Sequence, residues 1–134
     1  MIEAVRLPIP KESVNAGKHP DRLTAEAFRD EVWRRAAGRS RLTGNRLFRR
    51  RDVPTISRGE VCHLKCRRVR PEWITDPNHA ILLSAEEHRL SDHRGGRLLW
   101  ILDPETKDPA TDATKPILFV MRTVDGRILW ERLR

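Results

Sequence analysis

Two short stretches of the chain hold the side chains best suited to bind a metal or move a proton. They are EVCHLKC (60–66) and HAILLSAEEHRLSD (79–92). The candidate residues in them are Cys62, His63, His79, His88 and Asp92. Imidazole groups serve as general bases near neutral pH. Imidazole, thiolate and carboxylate groups also bind divalent metals. Three of the five histidines in the chain lie in these stretches, which indicates metal or acid–base chemistry.

Local patterns predict the elements that position these residues. They read as a strand, a basic loop, a second short strand and a helix, over residues 59–65, 66–78, 80–84 and 84–93. Ser84 is the predicted N-cap of the helix, because acidic residues follow it in the first turn. His88 and Asp92 are then four residues apart on one side of the helix, a spacing at which two ligands can bind one divalent ion.

The rest of the chain predicts an α+β fold. Residues 1–23 read as an extended arm, since Pro8, Pro10 and Pro20 interrupt a polar stretch. A helix is predicted over 24–37, with Thr24 as N-cap and Gly38 as the stop. An apolar stripe runs along that helix, formed by Phe28, Val32, Trp33 and Ala36. Residues 97–134 predict a β-strand extension packed on the same domain, with a hairpin turned at Asp125 and Gly126.

Composition favours an anionic partner. The 134 residues include 27 Lys and Arg against 19 Asp and Glu, a net charge of +8. Arginine binds phosphate through a planar fork, and the chain has no Tyr to stack on single-stranded bases. Double-stranded DNA is therefore the expected partner. The alternative is a soluble, arginine-rich protein that has no polyanionic partner.

The two cysteines do not form a disulfide framework. Cys62 and Cys66 are four residues apart, about 13 Å along an extended strand, which is too far for a bridge. No signal-peptide core or long apolar run is present, so we expect a cytoplasmic protein without membrane contact.

These motifs resemble the HNH nucleases, whose ββα-metal site is built on strand, strand and helix. The resemblance covers roughly residues 28–95. Cys62-His63 resembles the pair on the first strand, and His88 and Asp92 resemble the distal helix ligands. His79 stands nine residues before His88 (88 − 79 = 9), where the family has Asn. A one-residue shift would give that role to Asn78.

The resemblance implies a fold and a reaction. The fold would be a ββα-metal core over residues 24–96, with a preceding helix and a C-terminal β-hairpin extension. The reaction would be phosphodiester hydrolysis with His63 as general base and His79 supporting the loop beside it. One divalent ion (Mg, Mn, Ni or Zn) would be held by Cys62, His88 and Asp92. The DNA backbone would contact Arg67, Arg68 and Arg70.

A second set of positions departs from the family. Many relatives hold a structural zinc with two CxxC pairs, and the matching positions here look like Ser40, Thr43, Ser84 and Glu87. Because these are poor zinc ligands, we expect no structural zinc.

Three alternatives remain open. The chain could be a catalytically silent DNA-binding module that kept the fold, or a zinc-stabilised interaction protein using Cys62, Cys66 and the histidines. Cys62 could also be a small buried thiol rather than a ligand. Whether two copies pair as a homodimer is left open.

Overall fold

The computed structural model describes residues 23–64, 71–91 and 98–134. The chain folds as α+β, with one long helix and two small antiparallel sheets. The elements are α1 (Ala25–Ala36), β1 (Gly59–His63), β2 (Ala80–Ser84), α2 (Ala85–Leu90), β3 (Leu99–Leu102), β4 (Leu118–Arg122) and β5 (Ile128–Leu133). Two 3-10 turns, Pro71–Trp73 and Pro77–His79, lie between β1 and β2. Outside the described residues lie positions 1–22 of the predicted arm, and the predicted site residues Asp92, Arg67, Arg68 and Arg70.

Helix α1 begins and ends close to the predicted limits. The Thr24 side chain accepts a hydrogen bond from the Ala27 amide at 3.1 Å, so the predicted N-cap is confirmed. Phe28 and Val32 are the buried residues of its apolar stripe. The left-handed conformation that ends the helix begins at Ala37 (φ 54°), one residue before the predicted stop, and continues at Gly38 (φ 69°).

Strands β1 and β2 form an antiparallel pair that leads directly into α2. Cys62 lies opposite Ile81 and His63 lies opposite Ala80. Strand β1 ends at His63, two residues short of the predicted limit. The predicted N-cap of α2 is confirmed, because Ser84 and Glu87 form a reciprocal capping box. The helix itself ends at Leu90, earlier than predicted.

The second sheet has the strand order β3-β4-β5. Its last two strands form the hairpin predicted at Asp125 and Gly126. Gly126 takes a positive φ of 93°, and its amide donates to the Thr123 carbonyl at 2.9 Å. Tight turns need a positive φ, which glycine adopts without steric cost. The Asp125-Gly126 pair therefore predicted the turn.

The β1–β2 pair is buried on both faces, since side chains alternate along a strand. One face packs against α1 through Ala80, Leu82, Phe28 and Val32. The other face packs against the second sheet in a larger cluster that contains Cys62, Ile81, Leu83, Leu99, Ile101 and Phe119. The close packing of α1 also explains Gly59: a Cβ there would lie 2.5 Å from the Trp33 ring.

Within the described ranges, no helix has the length and apolar composition needed to cross a membrane.

Candidate functional site

Cys62 and His88 come together between strand β1 and helix α2. The Cys62 side chain is buried; its thiol donates to the His63 carbonyl at 3.7 Å and lies close enough to the His88 imidazole to shift the pKa of that ring. His88 Nδ1 donates to Glu60 Oε1 at 2.9 Å. Residues 60 and 62 are two apart on β1, so their side chains share a face of the strand and both reach the helix.

The electrostatics of this group centre on His88. Its hydrogen bond with Cys62 and the nearby Glu60 carboxylate raise the pKa of His88 to about 9, while burial works in the opposite direction. Without a metal, the imidazole is therefore cationic at neutral pH. A divalent ion binding to this ring has to displace a proton, so binding will strengthen as the pH rises.

Cys62 and His88 are two side chains that could hold a metal ion. Thiolate and imidazole suit Zn²⁺ or Ni²⁺ better than Mg²⁺. The third predicted ligand, Asp92, lies outside the described residues. Among residues 23–64, 71–91 and 98–134, no group of three His, Cys, Asp or Glu side chains is arranged to hold a metal ion. The pair thus fits half of a coordination sphere.

His63 lies on the other face of the strand. Its ring stacks on Phe28 of α1, with centroids 5.3 Å apart. Its Nε2 donates to the Ile74 carbonyl at 2.8 Å, which places the proton on Nε2 and the basic lone pair on Nδ1 of the neutral ring. This is the tautomer that a general base oriented by a backbone carbonyl requires. The neighbouring Cys62 points away from α1, into the larger cluster.

His79 holds the loop that contains Ile74. Its ring stacks on Trp73 with centroids 3.7 Å apart. Its Nδ1 donates to the Thr111 carbonyl, 2.5 Å away in the loop before β4. The backbone of this segment is also tied to β1, since the Leu64 amide donates to the His79 carbonyl at 3.0 Å. These contacts give His79 a supporting place beside His63.

Asn78, the alternative to His79, faces a different neighbour. Its Oδ1 accepts a hydrogen bond from Arg35 Nη1 of α1 at 2.8 Å. Its backbone carbonyl accepts from the Ala113 amide at 2.7 Å. Asn78 and His79 therefore anchor the same 3-10 turn from two sides, to α1 and to the loop before β4.

The four positions matched to a zinc knuckle meet in one hydrogen-bonded cluster. Ser40 Oγ donates to Glu87 Oε1 at 2.8 Å, and the same oxygen accepts from the Ser84 amide at 2.9 Å. Ser40 Oγ in turn accepts from the Thr43 amide at 3.2 Å. Ser40 and Ser84 are 3% and 2% exposed, whereas Glu87 is half-buried, so these bonds are partly shielded from solvent. We call these four residues the Ser40–Glu87 cluster.

Several surface arginines near α1 are already paired. Arg49 donates to Asp30 at 2.8 Å, and Arg50 pairs with Asp52 at 2.6 Å. Exposed pairs of this kind contribute little to stability. The predicted DNA contacts Arg67, Arg68 and Arg70 are not among the described residues.

Sequence reasoning overlooked Glu60 and the connection between the two loops of the Ser40–Glu87 cluster. Glu60 carried a usable signal, because it stands two residues before Cys62 and so shares its face of the strand. The contact between Ser40 and Glu87 spans 47 positions and has no local signature.

Comparison of the chain with protein-family models, with curated proteins and with solved structures gave no match.

Proposed function

We propose that this protein is a metal-dependent DNA endonuclease or nickase of the HNH type. In this proposal β1, β2 and α2 form a ββα-metal core. The observation that carries it is that His88 of α2 lies against the face of β1 that holds Cys62, where its Nδ1 donates to Glu60 Oε1 at 2.9 Å and Cys62 is close enough to shift its pKa. Cys62 and His88 occupy two of the three positions that the HNH resemblance assigns to metal ligands, and nothing in their local sequence requires them to meet.

The Ser40–Glu87 cluster gives independent support. The resemblance matches Ser40 and Thr43 to one half of a knuckle and Ser84 and Glu87 to the other half. A true match requires these two segments to lie side by side, although more than 40 residues separate them (84 − 43 = 41). The hydrogen bond from Ser40 to Glu87 meets that requirement.

The metal would be held by Cys62 and His88, with Asp92 as the third ligand. Bound there, a divalent ion supplies positive charge that stabilises the phosphate and the leaving 3′ oxygen. The Cys62 thiol must be deprotonated to ligate, and His88 must release its proton. A thiolate and an imidazole as ligands favour a softer ion such as Zn²⁺ or Ni²⁺ over Mg²⁺.

His63 would act as the general base. The Ile74 carbonyl fixes the proton on Nε2, so the ring accepts a proton from the attacking water through Nδ1. His79 supports this arrangement through its stack on Trp73, next to Ile74. The basic loop that follows β1, with Arg67, Arg68 and Arg70, would hold the DNA backbone.

A second candidate is a silent DNA-binding module, and one observation favours it. His63 packs against α1, whereas Cys62 lies on the opposite face of the β1–β2 pair, the face on which Glu60 contacts His88. If these groups stay apart in solution, the base and the metal cannot act on one phosphate. The module would then bind duplex DNA in a salt-dependent way without cutting it.

A single experiment separates the two candidates. Supercoiled plasmid is incubated with the wild type and with His88→Ala, in Mg²⁺, Mn²⁺, Ni²⁺ or Zn²⁺ and in EDTA, and duplex binding is measured on the same samples. Nicking that needs a metal and is lost in His88→Ala supports the nuclease. Duplex binding by both proteins without nicking in any metal supports the silent module and rejects the nuclease.

A further inference from the structure

Glu60, which the HNH resemblance gives no role, forms a hydrogen bond with His88. Glu60 Oε1 lies 2.9 Å from His88 Nδ1. The other carboxylate oxygen, Oε2, lies 3.9 Å from Nε of Arg58, so both oxygens of Glu60 face a nitrogen. This pairing fixes the direction in which the carboxylate points.

We propose that Glu60 is a positioning residue for the metal site, one that holds the His88 ring with its Nε2 directed at the ion. The inference rests on the proposed function, because it presumes that His88 is a ligand. Its basis is geometric. An imidazole has two nitrogens, and Glu60 engages Nδ1, so Nε2 is the nitrogen left for coordination. Metal-bound histidines commonly donate their second N–H to a carboxylate in this way.

The position of Glu60 on the strand supports this role. Glu60 and Cys62 project from the same face of β1, and His88 reaches both from α2. Glu60 and His88 are about equally accessible, with 40% and 38% of their side-chain surfaces exposed. A surface pair at that exposure adds little to stability. We therefore expect Glu60 to affect metal affinity more than folding.

The test measures metal binding directly. Co²⁺ is titrated into the wild type, Glu60→Ala, Glu60→Gln and Glu86→Ala, with affinity from calorimetry and the thiolate–cobalt absorption band as the signature of Cys62. Glutamine keeps an oxygen that accepts from Nδ1. Glu86→Ala is the matched control, since it removes a carboxylate from the first turn of the helix that carries His88.

We expect Glu60→Ala to weaken Co²⁺ binding by about 10- to 100-fold, as is usual for the loss of such a partner. Glu60→Gln should restore most of that affinity, and Glu86→Ala should bind like the wild type. Equal binding by the wild type and Glu60→Ala would overturn the inference and leave the nuclease proposal standing. No Co²⁺ binding by the wild type would instead reject the metal site and this inference with it.

Discussion

Ser40 and Glu87 are joined by a partly buried hydrogen bond of 2.8 Å that ties the turn after α1 to the first turn of α2. Glu87 Oε1 accepts from both the Ser40 hydroxyl and the Ser84 amide. The carboxylate therefore acts as a capping-box residue and as a link between two segments far apart in the chain. The HNH resemblance matches Glu87 to a zinc-binding position, and in this fold its carboxylate accepts hydrogen bonds from Ser40 and Ser84.

We expect Glu87→Ala to destabilise the fold by about 1–3 kcal/mol, because it removes a helix cap and leaves the Ser40 hydroxyl without its acceptor. Glu87→Gln should cost less, since its amide oxygen accepts from both donors. Urea denaturation measures the difference. Glu86→Ala, one residue earlier in the same turn, is the control and should change stability by less than about 0.5 kcal/mol. Equal losses in Glu86→Ala and Glu87→Ala would contradict this account.

The geometry of the Ser40–Glu87 cluster predicts that a zinc site can be built there. We expect one added equivalent of Zn²⁺ or Co²⁺ to bind when the four residues are replaced together, as Ser40→Cys, Thr43→Cys, Ser84→Cys and Glu87→Cys. The Co²⁺ spectrum should be that of a tetrahedral thiolate site. A variant with only Ser40→Cys and Thr43→Cys is the control and should bind far more weakly. If the fourfold variant bound no more metal than the wild type, the match to a zinc knuckle would be wrong.

In metal-free protein the pKa of His88 should lie far above its ordinary value. The hydrogen bond with Cys62, aided by Glu60, raises its pKa from 6.5 to about 9. A raised pKa stabilises the fold fully below about pH 6.5, and this contribution is lost as the pH rises through about 9. NMR titration of the His88 ring in EDTA measures this pKa directly. Thermal melts at increasing pH should show the loss of stability.

Cys62→Ser supplies the comparison for that titration. Removing the thiol should move the His88 pKa back toward 6.5 and flatten the alkaline loss of stability. A wild-type ring that already titrates near 6.5 would show that the contact between Cys62 and His88 does not persist in solution.

Trp73 should affect the rate of DNA cleavage without affecting metal affinity. Its stack on His79 supports the loop whose Ile74 carbonyl orients His63. In Trp73→Leu we expect single-turnover nicking to slow by about 10- to 100-fold, because small displacements of a catalytic group are costly. Co²⁺ affinity should stay within a few-fold of the wild type. Trp130→Leu, the same change in the second sheet, is the control, and slowing of both variants alike would indicate a general loss of packing.

Local chemistry made much of the fold predictable. Thr24 and Ser84 were identified as N-caps because an oxygen-bearing side chain preceded acidic and apolar helical positions. The hairpin was identified from Asp125-Gly126, a pair suited to a tight turn. The helix end was less predictable, because Ala37 itself takes the left-handed conformation that the sequence would give to Gly38.

The candidate site was less predictable, because its contacts join distant segments. Sequence spacing placed Cys62 and His88 in one motif, and the fold brings them into contact. Spacing alone did not reveal that Glu60 would reach His88, 28 residues away, or that His63 would pack against α1. Which face of a buried strand meets which helix is decided by tertiary packing, since both faces of β1 are covered.

The most direct test of the central claim is the rate at which purified protein nicks supercoiled plasmid, compared between the wild type and His63→Ala in the metal that supports activity. Our account predicts metal-dependent nicking by the wild type, a loss of about 100-fold or more in His63→Ala, and partial recovery when imidazole is added to the variant. His63→Ala that nicks at the wild-type rate would contradict the assignment of the base. A wild type that leaves the plasmid intact in every metal would contradict the nuclease itself.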